Sequence, residues 1–485
     1  MRLSLGALGR IDADVRTPAY DVAALKSGIV HLGLGAFHRA HQAVFTEDAI
    51  AASGGDWGII GVAPRRRAVV NGLTAQDGLF SVTSLDGNGS GTRVVGSIVG
   101  VRHLPSNPAG AVELVADPAI RIVTLTVTEK GYLLDPATGR LLVDDGLRAE
   151  LTGSAPPSSI PGLLVAGLRA RAGRDAGPLA LVSCDNLPSN GQRLRQAVLD
   201  AYSAAGANAG WVEANVSFPG TMVDRVVPAT TAETIATATA ALNVRDEMAV
   251  VAEPYSEWVI EDDFPGGRPV WEAAGAVLTS DARPYERLKL RALNGVHSAL
   301  AYLGALAGCQ TIADALALPG MRRMLERFIA DDIAPSLTPP PGRSVIEYGK
   351  AVLDRFANPA IGHRTLQVAM DGSQKMPQRI LHTAADRLAA NAEPRWAALV
   401  TAAWMRFVAG YAYDGRQLPL DDPLAAHLRR AARSAAPVDE LLAIDAVFAP
   451  DLAEAQVFRR LVAGWFAELG RHGVLDVLAG LREES

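Results

Sequence analysis

Residues 288–306 read LKLRALNGVHSALAYLGAL, an apolar helical run that contains the polar side chains Lys289, Asn294 and His297. At about 100° of rotation per residue, these three side chains and Glu286 fall within an arc of about 140° on an α-helix. Burying an amine, an amide and an imidazole together is costly unless they satisfy one another or face a ligand. The pattern therefore indicates a site on one face of this helix.

These residue types suit the oxidation of a secondary alcohol. The reaction needs a base for the hydroxyl proton, and a lysine serves near neutral pH once burial lowers its pKa. Hydrogen-bond donors from Asn294 and His297 would stabilise the alkoxide. The structural alternative is that Lys289, with Arg287 and Arg291, begins a solvated helix, and that His297 is a core residue.

Composition limits the class of protein. The 485 residues are too many for one ordinary domain, so two domains are expected. A net charge of −6 without a basic block excludes a nucleic-acid footprint and favours small-molecule partners. Cys184 and Cys309 are the two cysteines, too few for a disulfide framework or a cysteine-based zinc site, which fits a reducing cytoplasm.

Hydropathy favours a soluble protein. The first 21 residues lack the long apolar core of a secretory signal. No segment offers the roughly 18 uninterrupted apolar residues that a membrane span needs. The expected location is therefore the cytoplasm, and the sequence gives no indication of the oligomeric state.

Secondary-structure patterns divide the chain into two parts. In the first part, β-rich runs alternate with helical stretches, at 28–35, 57–63, 120–129 and 178–186. This alternation predicts an α/β domain, a Rossmann-like doubly wound parallel sheet, over residues 1–280. Ala/Leu/Arg-rich stretches at helical period then predict a mainly α-helical domain over 281–485. A ligand is expected in a crevice between the two domains.

A candidate nucleotide site follows the first β-rich run. Gly33 and Gly35 precede a stretch, 36–50, that can be read as a helix, which is the context of a dinucleotide fingerprint. His38 takes the place of the third glycine, so the motif is weak and a purely structural turn is the alternative. The candidate cofactor contacts are Gly33, Gly35, Phe37, His38 and Arg65.

The residues after the second strand decide which cofactor fits. An NAD site usually has an acid there for the ribose 2′-hydroxyl. Here the strand is followed by arginines at 65–67, and Asp56 precedes it, at the wrong end. The arginines can accept a 2′-phosphate, which is an argument for NADP, or they can be solvated, so this position leaves the phosphate state of the cofactor open. NAD is the expected cofactor, with NADP as the alternative.

Four stretches together carry a family resemblance. They read GLGAFHRAHQ at 33–42, SCDNLPSNG at 183–191, VSFPGTMVDRVVP at 216–228 and KLRALNGVHS at 289–298. In this order they resemble the polyol-specific long-chain dehydrogenase/reductases, the family of mannitol 2-dehydrogenase, fructuronate reductase and tagaturonate reductase. The resemblance extends from about residue 28 into the helical part.

The resemblance implies roles for particular residues. Lys289 matches the family's general base/acid, and Asn294 and His297 match the residues that hold the substrate oxygen. Glu286 matches a gating glutamate, and the family uses no metal.

Two substrate contacts are implied in the first part of the chain, Asn186 in the CDN motif and Asp224 in the VDR motif. Their structural alternatives are a turn residue for Asn186 and an ion pair with Arg225 for Asp224.

The segment 363–379, HRTLQVAMDGSQKMPQR, bears on the substrate. Lys375 resembles the family's substrate-binding lysine or arginine after the DGS turn, whereas Gln367 stands where mannitol dehydrogenases tend to have arginine. This departure resembles fructuronate reductases. A uronate carboxylate needs a cation, for which Arg364, Lys375 and Arg379 are candidates, although some of them can be surface charges.

The resulting expectation is interconversion of D-mannonate and D-fructuronate. The alternatives are mannitol 2-dehydrogenase or another polyol or altronate dehydrogenase of the family. A sensor that binds NAD and a sugar acid without turnover is disfavoured, because it has no use for a proton acceptor at Lys289.

Overall fold

The computed structural model describes residues 1–86, 89–135 and 138–481. The chain divides into two compact units, Met1–Arg283 and Pro284–Ser485. The boundary expected at 280/281 falls just before this division. Residues 482–485 of the expected second domain lie outside the described residues.

The strands of the described chain all lie in the first unit. They are β1 (Ser27–Leu32), β2 (Gly58–Ala63), β3 (Phe80–Asp86), β4 (Gly89–Val95), β5 (Ile98–His103), β6 (Ile122–Leu125), β7 (Leu179–Ser183), β8 (Val216–Ser217), β9 (Thr221–Asp224), β10 (Val250–Ala252), β11 (Glu257–Glu261) and β12 (Val277–Thr279).

The main sheet is parallel throughout and has the strand order β5-β2-β1-β6-β7-β8. Counted along the chain within this sheet, the order is 3-2-1-4-5-6, that of the doubly wound Rossmann fold. The expected fold class is thereby confirmed. The strand order reverses between β1 and β6, so the carboxyl ends of these two strands form the place where such sheets bind ligands.

Both faces of the main sheet are buried. On β1, Ile29 packs into one hydrophobic core, whereas Val30 and Leu32 pack into another. Successive side chains of a strand point to opposite faces, so a strand covered on both sides needs apolar residues at every position. This explains why the first β-rich run is almost continuously apolar.

The helices that cover the first unit are α1 (Ala36–Ala40), α2 (Gln42–Ser53), α3 (Arg67–Thr74), α4 (Pro108–Ala116), α5 (Asp145–Thr152), α6 (Ile160–Gly173), α7 (Asn190–Ala204), α8 (Gly210–Asn215) and α9 (Ala232–Leu242). Short 3₁₀ turns lie at Leu5–Arg10, Val22–Ala24, Leu104–Ser106, Glu129–Tyr132 and Trp271–Ala274.

The stretch 36–50, read from the sequence as one helix, is broken at His41. This residue has φ −122° and ψ −90° and separates α1 from α2. Its ring packs between Phe37 and Phe45, each with a centroid distance of 5.1 Å, and its Nε2 lies 3.0 Å from the carbonyl oxygen of Glu257. The break therefore coincides with tertiary packing of this imidazole. The helical periodicity of the sequence does not predict it, because periodicity reflects local contacts only.

Two smaller sheets of the first unit have no counterpart in the sequence prediction. Their orders are β10-β3-β4 and β12-β11-β9. In the second, β9 runs antiparallel to β11, with Asp224 opposite Glu257. This pairing positions the end of β9, and with it one of the candidate substrate contacts.

The second unit is mainly helical, and its described residues form no strand apart from isolated bridges. Its α-helices are α10 (Arg283–Leu288, which starts at the last residue of the first unit), α11 (Val296–Leu306), α12 (Ile312–Leu316), α13 (Met321–Arg327), α14 (Val345–Phe356), α15 (Thr365–Val368), α16 (Gly372–Met376), α17 (His382–Ala389), α18 (Arg395–Val408), α19 (Ala425–Ala432), α20 (Pro437–Leu442), α21 (Pro450–Glu454) and α22 (Gln456–Gly480). Segments of π-helix span Lys289–Gly295, Phe328–Ile333 and Pro377–Leu381, and 3₁₀ turns span Ala334–Ser336 and Pro359–Ile361.

The core of the second unit is built around α11, every residue of which is buried. It packs against α18, which is also mostly buried. A helix that is apolar on all sides belongs in the middle of a helical domain. Among the described residues, no helix has the length and apolar character required to cross a membrane.

Candidate functional site

The three polar residues of the helical run lie at a change of helix type. The chain passes from α10 into the π-helical segment Lys289–Gly295 and then into α11. On an α-helix, residues five apart are separated by about 140°. The i→i+5 hydrogen bonding of a π-helix brings such residues closer to one face, and these segments are frequent at functional sites. Lys289 and Asn294 are five residues apart and span this turn.

Packing against a second π-helical segment accompanies this geometry. A Cβ placed on Gly295 would lie 2.7 Å from the carbonyl oxygen of Arg379, in the segment Pro377–Leu381. Any side chain at position 295 would therefore force the two backbones apart. Three residues after Gly295, Ser298 Oγ accepts a hydrogen bond from the Arg379 guanidinium over 3.1 Å.

The polar face is buried. Lys289, Asn294 and His297 expose 6%, 6% and 8% of their surface. Asn294 Nδ2 and His297 Nε2 have no hydrogen-bond partner among the described residues. Buried polar atoms without partners are costly, so each such atom in a native protein calls for a ligand or another explanation. Two of them, three residues apart in the chain, make this face a candidate site for a polar ligand.

The solvated-helix alternative for Lys289 is wrong. Arg287 is exposed, but Lys289 and Arg291 are both buried. The Arg291 guanidinium donates to Asp386 over 2.5 Å and to the carbonyl oxygen of Ser336 over 2.6 Å. The three cations therefore do not share one solvated face.

His297 is held between aromatic rings. The Phe356 ring stacks on it with a centroid distance of 4.5 Å, and the His363 ring meets it edge-on at 4.8 Å. Burial, followed by electrostatic contributions from His363, Arg379, Lys375 and Arg355, holds the pKa of His297 well below its usual range. The imidazole is therefore neutral near pH 7, in a strongly cationic environment.

The candidate carboxylate receptors differ in their settings. Lys375 is half-buried, and its ammonium donates to the carbonyl oxygens of Met370 and Val368. Burial and then the charge of Arg379 lower the Lys375 pKa to about 8. Burial also lowers the pKa of Arg379. Arg364 is exposed, and Glu286 is half-buried in the first turn of α10.

The first unit supplies the other two candidate substrate contacts. Asp224 ends β9 and is buried, whereas Asn186 is exposed just beyond β7. The Arg225 side chain donates to the carbonyl oxygens of Ala40, over 2.5 Å, and Glu253, over 3.1 Å. Arg225 thus fastens the VDR motif to the end of α1.

Sequence reasoning missed two polar residues beside Asn186. Asp185 accepts hydrogen bonds from Val127 N, Thr128 N and Tyr132 Oη, which organise the loop after β6. The Asn190 amide exchanges hydrogen bonds with Thr221 and donates to the carbonyl oxygen of Asp185. Their place in the sequence could have identified them, because polar residues directly after a buried parallel strand gather at the ligand-binding edge of the sheet.

The two glycines of the nucleotide motif have different tasks. Gly33 has φ +104°, and a Cβ there would lie 2.1 Å from the carbonyl oxygen of Thr126, just beyond β6. Only glycine fits this turn, which follows β1 and lies against the chain just beyond β6. A Cβ on Gly35 would meet only the carbonyl oxygen of Gly33, at 3.5 Å. The space in front of Gly35 is open, as close approach of a pyrophosphate requires.

His38 is a packing residue where the third glycine is expected. Its ring is fully buried and stacks on His31 at 3.4 Å. The His31 nitrogens lie 2.8 Å from the hydroxyls of Thr124 and Thr126. Burial lowers the pKa of both imidazoles, that of His31 to about 3. Phe37, one residue before, is half-buried and stacks on His41.

The arginines after β2 lie where an adenosine ribose is read in this fold. Arg65 is exposed at the carboxyl end of the strand, and Asp56 precedes the amino end. In the part of the chain that the structure describes, no three His, Cys, Asp or Glu side chains form a group able to hold a metal ion.

The first unit is a doubly wound sheet with a glycine turn at its switch point, and the helical unit carries a buried lysine, amide and imidazole. These features are typical of an oxidoreductase of the Rossmann class. Models of the mannitol dehydrogenase Rossmann domain and the mannitol dehydrogenase C-terminal domain match residues 27–273 and 281–468. The chain belongs to the mannitol dehydrogenase family, and the family resemblance read from the four motifs is confirmed.

Relatives in this family carry different substrate names. The chain is 38% identical to the D-mannonate oxidoreductase of Escherichia coli K12, over 96% of this chain and 98% of that one. It is also 38% identical to the mannitol 2-dehydrogenase of Cereibacter sphaeroides, with the same coverage. The solved mannitol 2-dehydrogenase of Pseudomonas fluorescens, in a ternary complex with NAD and D-mannitol, is 33% identical over 100% of both chains, with a TM-score of 0.86.

The unpartnered amide nitrogen of Asn294 predicts an unusual mutational response. Asn294→Leu should change the free energy of unfolding by less than about 1 kcal/mol, because the removed Nδ2 has no partner to lose. Asn190→Leu is the matched control, since it removes a buried amide with several hydrogen bonds and should cost at least about 2 kcal/mol. Urea denaturation of both variants measures the difference. Equal destabilisation would show that Asn294 is a structural amide.

Proposed function

We propose that this chain is a nicotinamide-dependent oxidoreductase that interconverts D-mannonate and D-fructuronate, with Lys289 as general base and acid. The observation that supports it most strongly is the pair of buried, unpartnered nitrogens, Asn294 Nδ2 and His297 Nε2, on the helix that also bears Lys289. Such a pair suits an oxygen whose negative charge grows during the reaction.

NAD is the proposed cofactor. The open space in front of Gly35 at the switch point between β1 and β6 fits a dinucleotide, as does the strand order. The solved relative from Pseudomonas fluorescens was crystallised with NAD. Gly33, Gly35, Phe37, His38 and Arg65 remain the proposed cofactor residues, with Gly33 and His38 acting through the shape of the turn. Arg65 is exposed and available to bind a 2′-phosphate, so NADP is the alternative cofactor.

The proposed chemistry divides between a base and an oxygen-binding pair. In oxidation, Lys289 Nζ takes the hydroxyl proton, and in reduction it returns that proton to the carbonyl oxygen. Asn294 donates to the same oxygen, and His297, being neutral, donates through Nε2 in the matching tautomer. When bound, the nicotinamide accepts or supplies the hydride. Asn186 and Asp224 are proposed substrate contacts, and Glu286 a gate.

The charge around His297 favours an acid as substrate. Arg379, Lys375 and Arg355 act on it as positive neighbours. A carboxylate gains from such a field, whereas a neutral polyol does not. Lys375 and Arg364 are the proposed carboxylate contacts. The second candidate is mannitol 2-dehydrogenase, which is favoured by the relatives of that name at equal identity.

The substrate proposal predicts a clear preference in the reductive direction. Purified enzyme should reduce fructuronate with a kcat/KM at least about tenfold above that for fructose, the value of one charge-assisted contact. A panel of mannonate, altronate, mannitol and arabinitol with NAD and NADP extends the comparison. A higher kcat/KM for fructose would replace the proposal with mannitol 2-dehydrogenase, and no turnover with any substrate would favour a sensor.

Removal of the proposed base should affect the chemical step alone. Lys289→Ala is expected to lower kcat by about 10²–10⁴, the usual contribution of a general base, while the Kd for NADH stays near that of the wild type. Stopped-flow turnover and cofactor fluorescence titration measure the two quantities. Arg287→Ala, two residues earlier and exposed, is the matched control and should retain activity. Retention of most activity by Lys289→Ala would exclude the assignment.

The lowered pKa of Lys375 predicts pH-dependent selectivity. With a pKa of about 8, the ammonium is charged below pH 8 and loses its charge as the pH rises through that value. The groups that act on it are Arg379, Asp371, Asp421 and Asp422. The ratio of kcat/KM for mannonate to that for mannitol should therefore fall by roughly tenfold or more above pH 8.

Two variants sharpen this measurement. Lys375→Arg keeps its charge and should give a ratio that does not depend on pH. Arg364→Met should keep the pH dependence of the ratio, because Lys375 still titrates, whereas a lower ratio at every pH would show that Arg364 also contacts the carboxylate. A flat ratio in the wild-type enzyme, or an unchanged pH dependence in Lys375→Arg, would contradict the role of Lys375.

A further inference from the structure

We infer that His363 is a positioning residue for the reaction: its ring braces His297 against the stacked Phe356 ring, so that His297 Nε2 stays directed at the substrate oxygen. The inference rests on the proposed function. His297 has Phe356 stacked on one side, at an interplanar angle of 26°, and His363 edge-on, at 63°. These contacts come from the end of α14 and from the loop before α15, so two separate elements define the ring orientation.

The loop that carries His363 is fastened on both sides of this residue. The carbonyl oxygen of His363 accepts a hydrogen bond from Ile312 N at 2.9 Å. Two residues later, Thr365 N donates to the carbonyl oxygen of Gln310 at 3.0 Å, and Thr365 Oγ1 donates to that of Cys309 at 2.9 Å. An imidazole on a loop fixed in this way is a rigid support, which a freely moving loop could not provide.

A brace is needed because His297 Nε2 has no partner of its own. A buried ring normally takes its orientation from its hydrogen bonds, but this nitrogen has none among the described residues. Ring packing by Phe356 and His363 therefore takes over part of this task. Burial, and then the charge of Lys375, lowers the pKa of His363, so the brace is neutral near pH 7 and adds little charge beside His297.

Two substitutions at position 363 separate ring packing from other roles. His363→Ala removes the brace and should lower kcat by roughly 10- to 100-fold, the effect of a small misplacement of a catalytic group, with the KM for NADH unchanged. His363→Phe restores a ring without nitrogens and should recover most of the lost kcat. Thermal melting of each variant shows whether the enzyme is folded. Phe356→Leu should lower kcat to a similar extent as His363→Ala, because it removes the ring that stacks on the other side of His297.

Ring-labelled histidine NMR supplies a readout that does not require turnover. The His297 ring signals should be sharp in wild type and His363→Phe, and broadened or shifted in His363→Ala. Unchanged signals and unchanged kcat in folded His363→Ala would overturn the inference. Equal kcat losses in the Ala and Phe variants would overturn it too, since they would assign the role to the imidazole nitrogens. An inactive wild type with the expected NMR pattern would refute the proposed function and leave the brace supported.

Discussion

The backbone contact at Gly295 is the constraint on which the candidate site depends. Because position 295 has no side chain, the π-helical segments Lys289–Gly295 and Pro377–Leu381 lie backbone to backbone. One segment carries Lys289 and Asn294 and leads into His297, and the other carries Arg379 and continues from the helix of Lys375. A single glycine thus allows the polar face and its cationic neighbours to share one small region of the second unit.

Hydrogen bonds tie the family motifs of the first unit to one another. Arg225 of the VDR motif donates to the carbonyl oxygen of Ala40 in the GLGAFHRAHQ motif. Asn190 of the SCDNLPSNG motif exchanges hydrogen bonds with Thr221, and a Cβ on Gly191 would lie 2.5 Å from the carbonyl oxygen of Phe218. Much of what makes these motifs recognisable is therefore mutual packing around the switch point, in addition to any contact with a ligand.

The sequence was sufficient for features that depend on periodicity. Alternating β-rich and helical runs predicted the doubly wound sheet, and the apolar run at 288–306 predicted the buried helix. It was insufficient where long-range contacts decide. The break at His41 goes with a contact to Glu257, more than 200 residues away, and the π-helical turn goes with packing at Arg379. Local patterns carry no signal for such partners.

The π-helical turn also means that the candidate site depends on the number of residues in the helix as well as on their types. An α-helix of the same sequence would place Lys289 and Asn294 about 140° apart, and the i→i+5 turn reduces that angle. A relative with the same polar residues but one residue fewer in this turn would present them on different faces. Comparisons of residue identity alone would then overlook the difference, because the length of the turn changes the positions of the side chains without changing their types.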